Sequence, residues 1–264
     1  AMFDMVKENF EKVIVLINSS SPMELGFLEN EKVDAAMWIG GPGSVGLQGV
    51  ANALCGEVNP SGRLVDTYAY DATSSPAYMN IGDFTYTGTE HENGGMLGGV
   101  APYKFMNYQE GIYVGYRYYD TKKVPVRYAF GHGLSYTEFT YGDLTLSSAQ
   151  MTDEDILTVS FKVKNTGKTE GKEVVQLYVA DLCGTPERPV KELKGFAKVH
   201  LLPGEEKTVS MEISARDLSY YEERLGDWYA PSGTYRILIG HASDDIRLHA
   251  DVCLLYTSDA ADDR

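Results

Sequence analysis

The first seventy residues of the chain alternate continuous apolar runs with amphipathic segments. Such runs, rich in β-branched residues, are typical of strands buried on both faces. The pattern predicts three strands, at 13–17, 34–39 and 63–68, separated by helices at 23–28 and 44–54. Ser21 is the expected N-cap of the first helix. The order strand, helix, strand, helix, strand indicates an α/β domain with a mostly parallel sheet.

The stretch 69–109 has no sustained hydrophobic period and is rich in Tyr, Gly, Asn and Ser. Loops of this length in a compact domain are usually functional or mobile. Several of the candidate site residues named below fall within it.

The second half alternates apolar and polar residues with a period of two. Val159, Phe161 and Val163, for example, are separated by polar residues, which predicts one buried and one solvated face. Strands are expected at 143–147, 157–163, 174–180, 195–201, 208–213, 233–239 and 246–252. About seven strands of this spacing favour an immunoglobulin-type β-sandwich. The expected domains are therefore 1–128 (α/β) and 129–252 (all-β), with a separate tail at 253–264.

Composition narrows the classes of function. The 264 residues carry a formal net charge of -15, with a pI near 4.7. A chain this acidic lacks the basic face that nucleic acid or an anionic membrane surface requires, and no apolar run reaches the roughly 20 residues that span a bilayer. Cys55, Cys183 and Cys253 have no metal-ligand spacing, so we expect neither a metal site nor a cofactor.

The segment 40–44, with the sequence GGPGS, joins the second strand to the second helix. Backbone amides at such a turn can hold an anion. The lysine of a P-loop and the GxGxxG spacing are both missing. We therefore interpret the glycines as devices for a tight turn rather than for ligand binding.

Carboxylates surround the long irregular stretch: Asp66, Asp71, Asp83, Glu90, Glu92 and Glu110. Glycoside hydrolysis needs two carboxyl groups across one bond, but an acidic chain brings carboxylates together by chance. His91, between two glutamates, is a candidate general base, although we favour its interpretation as a solvated loop histidine. Three further histidines occur in strand patterns and are expected to be structural: His200, His241 and His249.

Tyrosines crowd the region before the expected domain boundary: Tyr103, Tyr108, Tyr113, Tyr116, Tyr118, Tyr119, Tyr128 and Tyr136. A tyrosine presents a flat apolar face and a polar tip, which suits stacking on sugar rings and equally suits a packed interface. For the cluster as a whole we favour a domain–domain interface.

Several motifs, in this order, resemble the part of family 3 glycoside hydrolases that lies outside their barrel. In the first half these are AMWIGGPG at 36–43, GEVNPSGRL at 56–64, EGIYVGYRYYD at 110–120 and FGHGLSYTEF at 130–139. The second half adds VKNTG at 163–167, EVVQLY at 173–178 and KELKGF at 191–196. Each motif is weak alone, but together they cover nearly the whole chain.

The resemblance implies the later part of an α/β sandwich domain followed by a fibronectin-III-like domain. It also implies a retaining hydrolase of terminal β-linked glucosides, with a covalent glycosyl-enzyme intermediate. In this family the nucleophile lies on a TIM barrel and the acid/base lies upstream of the strand matched by 13–18. Neither catalytic group therefore corresponds to a residue here, and the chain alone is expected to be inactive. Its expected partners are the substrate and the missing barrel of the same protein.

The resemblance gives individual residues roles as well. Arg63 is expected to donate a buried ion pair, Gln176 to bond to backbone across the sandwich, and 165–167 to form a hairpin turn. Compared with the family, residues 77–108 resemble a tyrosine-rich insertion. If this insertion overhangs the sugar pocket, Tyr86, His91 and Glu92 are substrate contacts. The same insertion resembles a bacterial subgroup with the barrel last in the chain. The cellular location stays open between cytoplasmic and secreted.

The final residues, CLLYTSDAAD at 253–262, depart from the family and resemble a translated sequencing adapter. We expect the natural segment to end near Val252. Other functions stay open at this point. The chain is alternatively a stand-alone carbohydrate-binding module or a non-catalytic scaffold, and within enzymes a β-xylosidase or N-acetylglucosaminidase is compatible with the motifs.

Overall fold

The structure, a computed structural model, describes residues 2–78, 84–92, 99–185 and 187–255. The N-terminal half contains α1 (Met2–Asn9), β1 (Ile14–Ile17), β2 (Ala35–Trp38), α2 (Leu47–Leu54), β3 (Tyr68–Ala69), β4 (His91–Glu92), β5 (Val100–Ala101), α3 (Tyr116–Lys122) and β6 (Val126–Tyr128), with 3₁₀ turns at Gly26–Glu29 and Ala72–Ser74. The C-terminal half contains β7 (Phe139–Leu146), β8 (Gln150–Met151), β9 (Ile156–Asn165), β10 (Gly171–Asp181), β11 (Glu192–Leu201), β12 (Glu206–Ser214), α4 (Ala215–Leu218), β13 (Tyr220–Glu222), β14 (Asp227–Tyr229), β15 (Gly233–Ala242) and β16 (Asp245–Leu254).

The N-terminal half, which we call the α/β segment, is built on a parallel pair of strands. β1 and β2 pair with Ile14 opposite Ala35 and Ile17 opposite Trp38. The prediction of burial on both faces is wrong for the described residues, because Ile14 and Trp38 are 51% and 41% exposed. In the predicted strands at 13–17 and 34–39, Val13 and Ile17 are the buried residues. A small core forms where Ile17 packs with Leu25 and Tyr68.

Two predicted elements of the α/β segment are also wrong in detail. The strand expected at 63–68 is reduced to β3, since the backbone of Leu64 bonds to Gly131 and His132 instead of to the parallel pair. The first helix is only the 3₁₀ turn at Gly26–Glu29. Ser21 is not its N-cap, because its backbone is held in a turn by the hydroxyl of Ser19.

The C-terminal half is a sandwich of two sheets, as predicted. One sheet has the order β11-β10-β15-β16-β8 and the other has the order β12-β9-β7. The alternation read from the sequence is confirmed, since Val159, Phe161 and Val163 are all at most 1% exposed. They pack against Leu177 and Ile237 of the opposite sheet in one continuous core.

Two further details of the sandwich differ from expectation. The turn at 165–167 is not a hairpin, because it joins β9 and β10, which lie in different sheets. The last strand continues two residues beyond Val252, and Leu254 is buried in the core and pairs with Met151. The part of the expected tail at 256–264 lies outside the described residues.

Candidate functional site

A two-stranded ribbon in the irregular stretch carries all three predicted substrate contacts. We call it the aromatic hairpin and define it as residues 84–92 and 99–105. Its strands are antiparallel, with Thr85 opposite Lys104 and His91 opposite Ala101. The amide of Tyr86 donates to the carbonyl of Tyr103 at 2.9 Å. This register fixes which side chains share a face.

Aromatic rings gather on one face of the aromatic hairpin. His91 stacks on Tyr103 with ring centroids 4.1 Å apart and an interplanar angle of 15°. The ring of Phe105 lies 4.8 Å from Tyr86 and 5.5 Å from Phe84. Tyr86 and Tyr103 remain more than half exposed. The face therefore offers flat apolar surfaces edged by hydroxyl and imidazole groups, a combination suited to a pyranose ring.

The structure brings together two of the three predicted contacts. Tyr86 and His91 belong to this ring-bearing face. Glu92 follows His91 directly in β4, so its exposed side chain points to the opposite face. Phe84 and Phe105 also belong to the ring-bearing face but were not predicted from the sequence. Their rings meet only because two segments that are distant in the sequence pair with each other. The only local signal was the alternation of aromatic residues at 84–86 and 103–105.

The candidate carboxylates are not gathered around the aromatic hairpin in any way that marks an acid–base pair. Asp71 accepts hydrogen bonds from Thr73, and these hold the pKa of Asp71 below its usual range. Asp66 and Glu90 are exposed. Asp83 lies outside the described residues. Among described carboxyl groups, every clearly shifted pKa is lowered.

The α/β segment and the sandwich meet at a buried polar cluster, which we call the junction: Arg63, Gly133, Tyr141, Glu173 and His241. The prediction that Arg63 donates a buried ion pair is confirmed, because its Nη2 lies 2.6 Å from Oε2 of Glu173. Both side chains are almost fully buried. Tyr141 donates its hydroxyl to Glu173 at 2.7 Å.

These partners decide the charge of Glu173. Burial alone would raise its pKa, but hydrogen bonds from His241 and Tyr141 and the charges of His241 and Arg63 bring the pKa below its ordinary value. Glu173 is thus an ionised carboxylate of the sandwich that neutralises the buried Arg63 of the α/β segment. Burial, together with the neighbouring carboxylate, raises the pKa of Tyr141, which stays a neutral donor.

Two of the clustered tyrosines lie at the contact between the halves, which confirms the interface interpretation for them. The hydroxyl of Tyr116 accepts from the amide of Leu193 at 2.8 Å, and its ring packs on Tyr178. Tyr136 donates to the carbonyl of Ala53 at 2.8 Å. Tyr108, in contrast, is exposed. Tyr119 is buried and Tyr128 packs on Tyr68, both within the α/β segment. The cluster therefore divides among the interface, the interior of the α/β segment and the surface.

Helix α3 makes a second contact with the sandwich. Asp120 pairs with Lys191 at 2.7 Å, and Thr121 accepts from the amide of Val190 at 3.0 Å. The segment 129–138, which joins β6 to β7 and which we call the linker, is also closely fitted. A Cβ on Gly133 would lie 2.6 Å from the carbonyl oxygen of Gly62. The two halves are therefore closely fitted along this contact.

Two more predicted roles can be compared with the structure. Gln176 does bond to backbone, donating to the carbonyl of His241 at 2.7 Å, but within one sheet rather than across the sandwich. In the segment 40–44, Gly40 and Gly43 adopt positive φ angles, as a tight turn requires. Just after this segment, a Cβ on Gly46 would meet the carbonyl oxygen of Pro42.

Within the described part of the chain, no group of three or more His, Cys, Asp or Glu side chains is arranged to hold a metal ion. No described helix is long and apolar enough to cross a membrane.

The fold is thus that of an α/β segment fitted to a fibronectin-type sandwich. Residues 1–136 match the model of the glycosyl hydrolase family 3 C-terminal domain, and residues 173–243 match a fibronectin type III-like domain. The chain belongs to glycosyl hydrolase family 3.

Curated relatives are longer than this chain. Thermostable beta-glucosidase B of Acetivibrio thermocellus is 40% identical over 251 residues, which are 95% of this chain and 31% of the relative. A beta-glucosidase of Kluyveromyces marxianus is also 40% identical, over 88% of this chain and 25% of the relative. The chain therefore spans about a third or less of these relatives.

Solved structures agree with this placement. A family 3 beta-glucosidase of Bifidobacterium adolescentis superposes with a TM-score of 0.83 at 28% identity, over 96% of this chain and 34% of that one. Beta-glucosidase 3B of Thermotoga neapolitana, solved in complex with α-D-glucose, superposes with a TM-score of 0.79 at 36% identity. The match covers 96% of this chain and 33% of that one.

Proposed function

We propose that this chain is the C-terminal part of a retaining β-glycosidase that hydrolyses terminal β-linked glucosides. The observation that carries the proposal is the 40% identity to a β-glucosidase over 95% of this chain. The catalytic barrel belongs to the other two thirds of such an enzyme. A bacterial source and a barrel-last order stay predictions, because the relatives come from both bacteria and fungi.

The chain by itself is proposed to be inactive. A retaining glycosidase needs two carboxyl groups about 5 Å apart, one of them a general acid with a raised pKa. The described carboxyl groups with a clear shift have lowered values instead, and the buried ones are paired with arginines. Such groups are poor proton donors at neutral pH.

An assay with an aryl β-glucoside tests this directly. Purified 1–264 is expected to release no nitrophenol above the uncatalysed rate, whereas the full-length enzyme releases it readily. Turnover by 1–264 would contradict the inactive-fragment proposal. Preference of the full-length enzyme for an aryl β-xyloside or N-acetylglucosaminide would contradict the glucoside proposal.

We further propose that the aromatic hairpin contacts the sugar in the full-length enzyme through Tyr86 and His91. Two half-exposed tyrosines and a stacked histidine on one face support this, and a neighbour of this fold was solved with glucose. Glu92, on the opposite face, is not part of this platform in the proposal.

Substitutions in the full-length enzyme test the sugar contact. Tyr86→Ala is expected to raise KM for cellobiose about two- to tenfold, the range for loss of one ring contact. Tyr108→Ala is the matched control, since Tyr108 is exposed outside the ring cluster. Equal effects of the two substitutions would contradict the contact without touching the proposed activity.

A further inference from the structure

His241 in β15 lies between two oxygen atoms from different parts of the chain. Its Nδ1 is 2.5 Å from Oε1 of Glu173, and its Nε2 is 2.9 Å from the carbonyl oxygen of Gly133. Glu173 belongs to the sandwich, and Gly133 belongs to the linker that leads into it from the α/β segment. The imidazole ring therefore connects the linker to the centre of the junction.

Both partners of the ring are acceptors. A backbone carbonyl carries no proton, and the carboxylate of Glu173 already accepts from Arg63 and Tyr141. A neutral histidine has one N–H and one bare nitrogen. If His241 were neutral, one ring nitrogen would carry no proton, and its lone pair would face either Oε1 of Glu173 or the carbonyl oxygen of Gly133. Only the doubly protonated ring satisfies both.

Two cationic and three anionic side chains surround this position. Arg63 and Arg247 lie on the cationic side of the cluster, and Glu173, Asp244 and Asp245 on the anionic side. Tyr141 is a neutral donor, as described above.

The neighbouring His132 is held in the neutral form. Burial lowers the pKa of His132, and a positive charge on His241 acts in the same direction.

We infer that His241 is an imidazolium ion that bridges the linker and the sandwich. Raising the pH removes one of the two N–H protons of this ring and thereby weakens the junction. A group charged in the folded state stabilises it fully at low pH. That stabilisation falls as the pH rises above about 6.5, the ordinary value for a free histidine. The pH dependence expected from His132 has the opposite sign, because a histidine with a lowered pKa destabilises the folded state at low pH.

Nitrogen NMR of 1–264 labelled with ¹⁵N-histidine reads the charge itself. At pH 7.5 a free imidazole is about nine-tenths neutral. The inference predicts that one histidine keeps protonated shifts on both ring nitrogens, and that His241→Gln removes that signal. A bare-nitrogen shift for every histidine at this pH would overturn the inference, even if the variant failed to fold.

Denaturant unfolding between pH 6 and 9 gives the second readout. The equilibrium constant for unfolding of 1–264 is expected to rise about tenfold or more through this range, as one charge-assisted hydrogen bond is lost. His241→Gln should remove that component, and His249→Gln, at an exposed position of β16, should retain it. The same pH dependence in both variants would overturn the proposed role.

Discussion

The sandwich and the α/β segment differ sharply in how they bury apolar side chains. In the sandwich, Phe161, Leu177 and Ile237 are at most 1% exposed and belong to one continuous core. In the α/β segment, the parallel strands that should be the most buried leave Ile14 and Trp38 about half exposed. The sandwich thus supplies both layers of its own core, whereas the α/β segment supplies one side of a core.

The exposure of the parallel strands supports the proposal that this chain is part of a larger enzyme. Parallel strands need cover on both faces, and about two thirds of the length of these relatives lies outside the part that this chain matches. We propose that this additional chain covers β1 and β2. The junction then holds the α/β segment against a stable sandwich, and the following substitutions test each side of the comparison.

The largest effect is expected in the sandwich core. Phe161→Ala should lower the free energy of unfolding by about 3–5 kcal/mol, through lost burial and the cavity left behind. Phe10→Ala, at a 62% exposed position of the α/β segment, should change it by less than about 0.5 kcal/mol. Urea unfolding of 1–264 measures both. Similar losses at the two positions would contradict the comparison.

The next effect is expected at the junction. Glu173→Gln leaves buried Arg63 and His241 without their counter-ion and should cost about 3 kcal/mol at pH 7. Asp251→Asn, which breaks a half-exposed pair with Arg236, should cost at most about 1 kcal/mol.

The same variant has a defined pH dependence. Because the pKa of Glu173 is held below its ordinary value, its stabilisation is present above about pH 4.3 and is lost as the pH falls. The stability difference between wild type and Glu173→Gln should therefore shrink in acid, as followed by unfolding at several pH values. A difference that grew on acidification would show that the carboxylate is not ionised.

A smaller effect is expected in the linker. Gly133→Ala places a methyl group against the carbonyl of Gly62 and should cost about 1–3 kcal/mol. Gly142→Ala, in β7, has open space around it and is the control, with little change expected. Thermal unfolding of both variants measures the effect. If Gly133→Ala were as stable as the control, the close fit of the two halves would be refuted.

The smallest effect is expected on the exposed strands. Ile14→Thr keeps a β-branched residue at a half-exposed site and should leave the stability of 1–264 within about 0.5 kcal/mol. Ile237→Thr makes the same change at a fully buried site and should destabilise strongly. A large loss for Ile14→Thr would mean that β1 is buried in the isolated chain.

The sequence predicts the sandwich well because its signal is local. Alternation at Val159, Phe161 and Val163 depends only on neighbouring residues, and each strand carries its own pattern. The α/β segment was predicted less well. Its apolar runs are typical of buried strands, but in the described residues these strands are partly exposed. The expected strand at 63–68 failed because tertiary bonds to the linker replaced sheet pairing.

The sites follow the same rule. Arg63 was identified from its motif, but Glu173 is 110 residues away and no local pattern named it as the partner. The aromatic hairpin depends on the register between 84–92 and 99–105, so Tyr86 and His91 were found singly and their neighbours were not. Residue type was predictable, whereas long-range pairing was not.

Native-state amide hydrogen exchange of 1–264 tests the central contrast most directly, since it reports local free energies along the whole chain. We expect the amides of β9, β10 and β15 to exchange only through global unfolding. The amides of β1 and β2 should exchange through local opening at a much lower free energy. Equal protection of β1 and β10 would contradict this expectation, because the α/β segment would then have a complete core of its own.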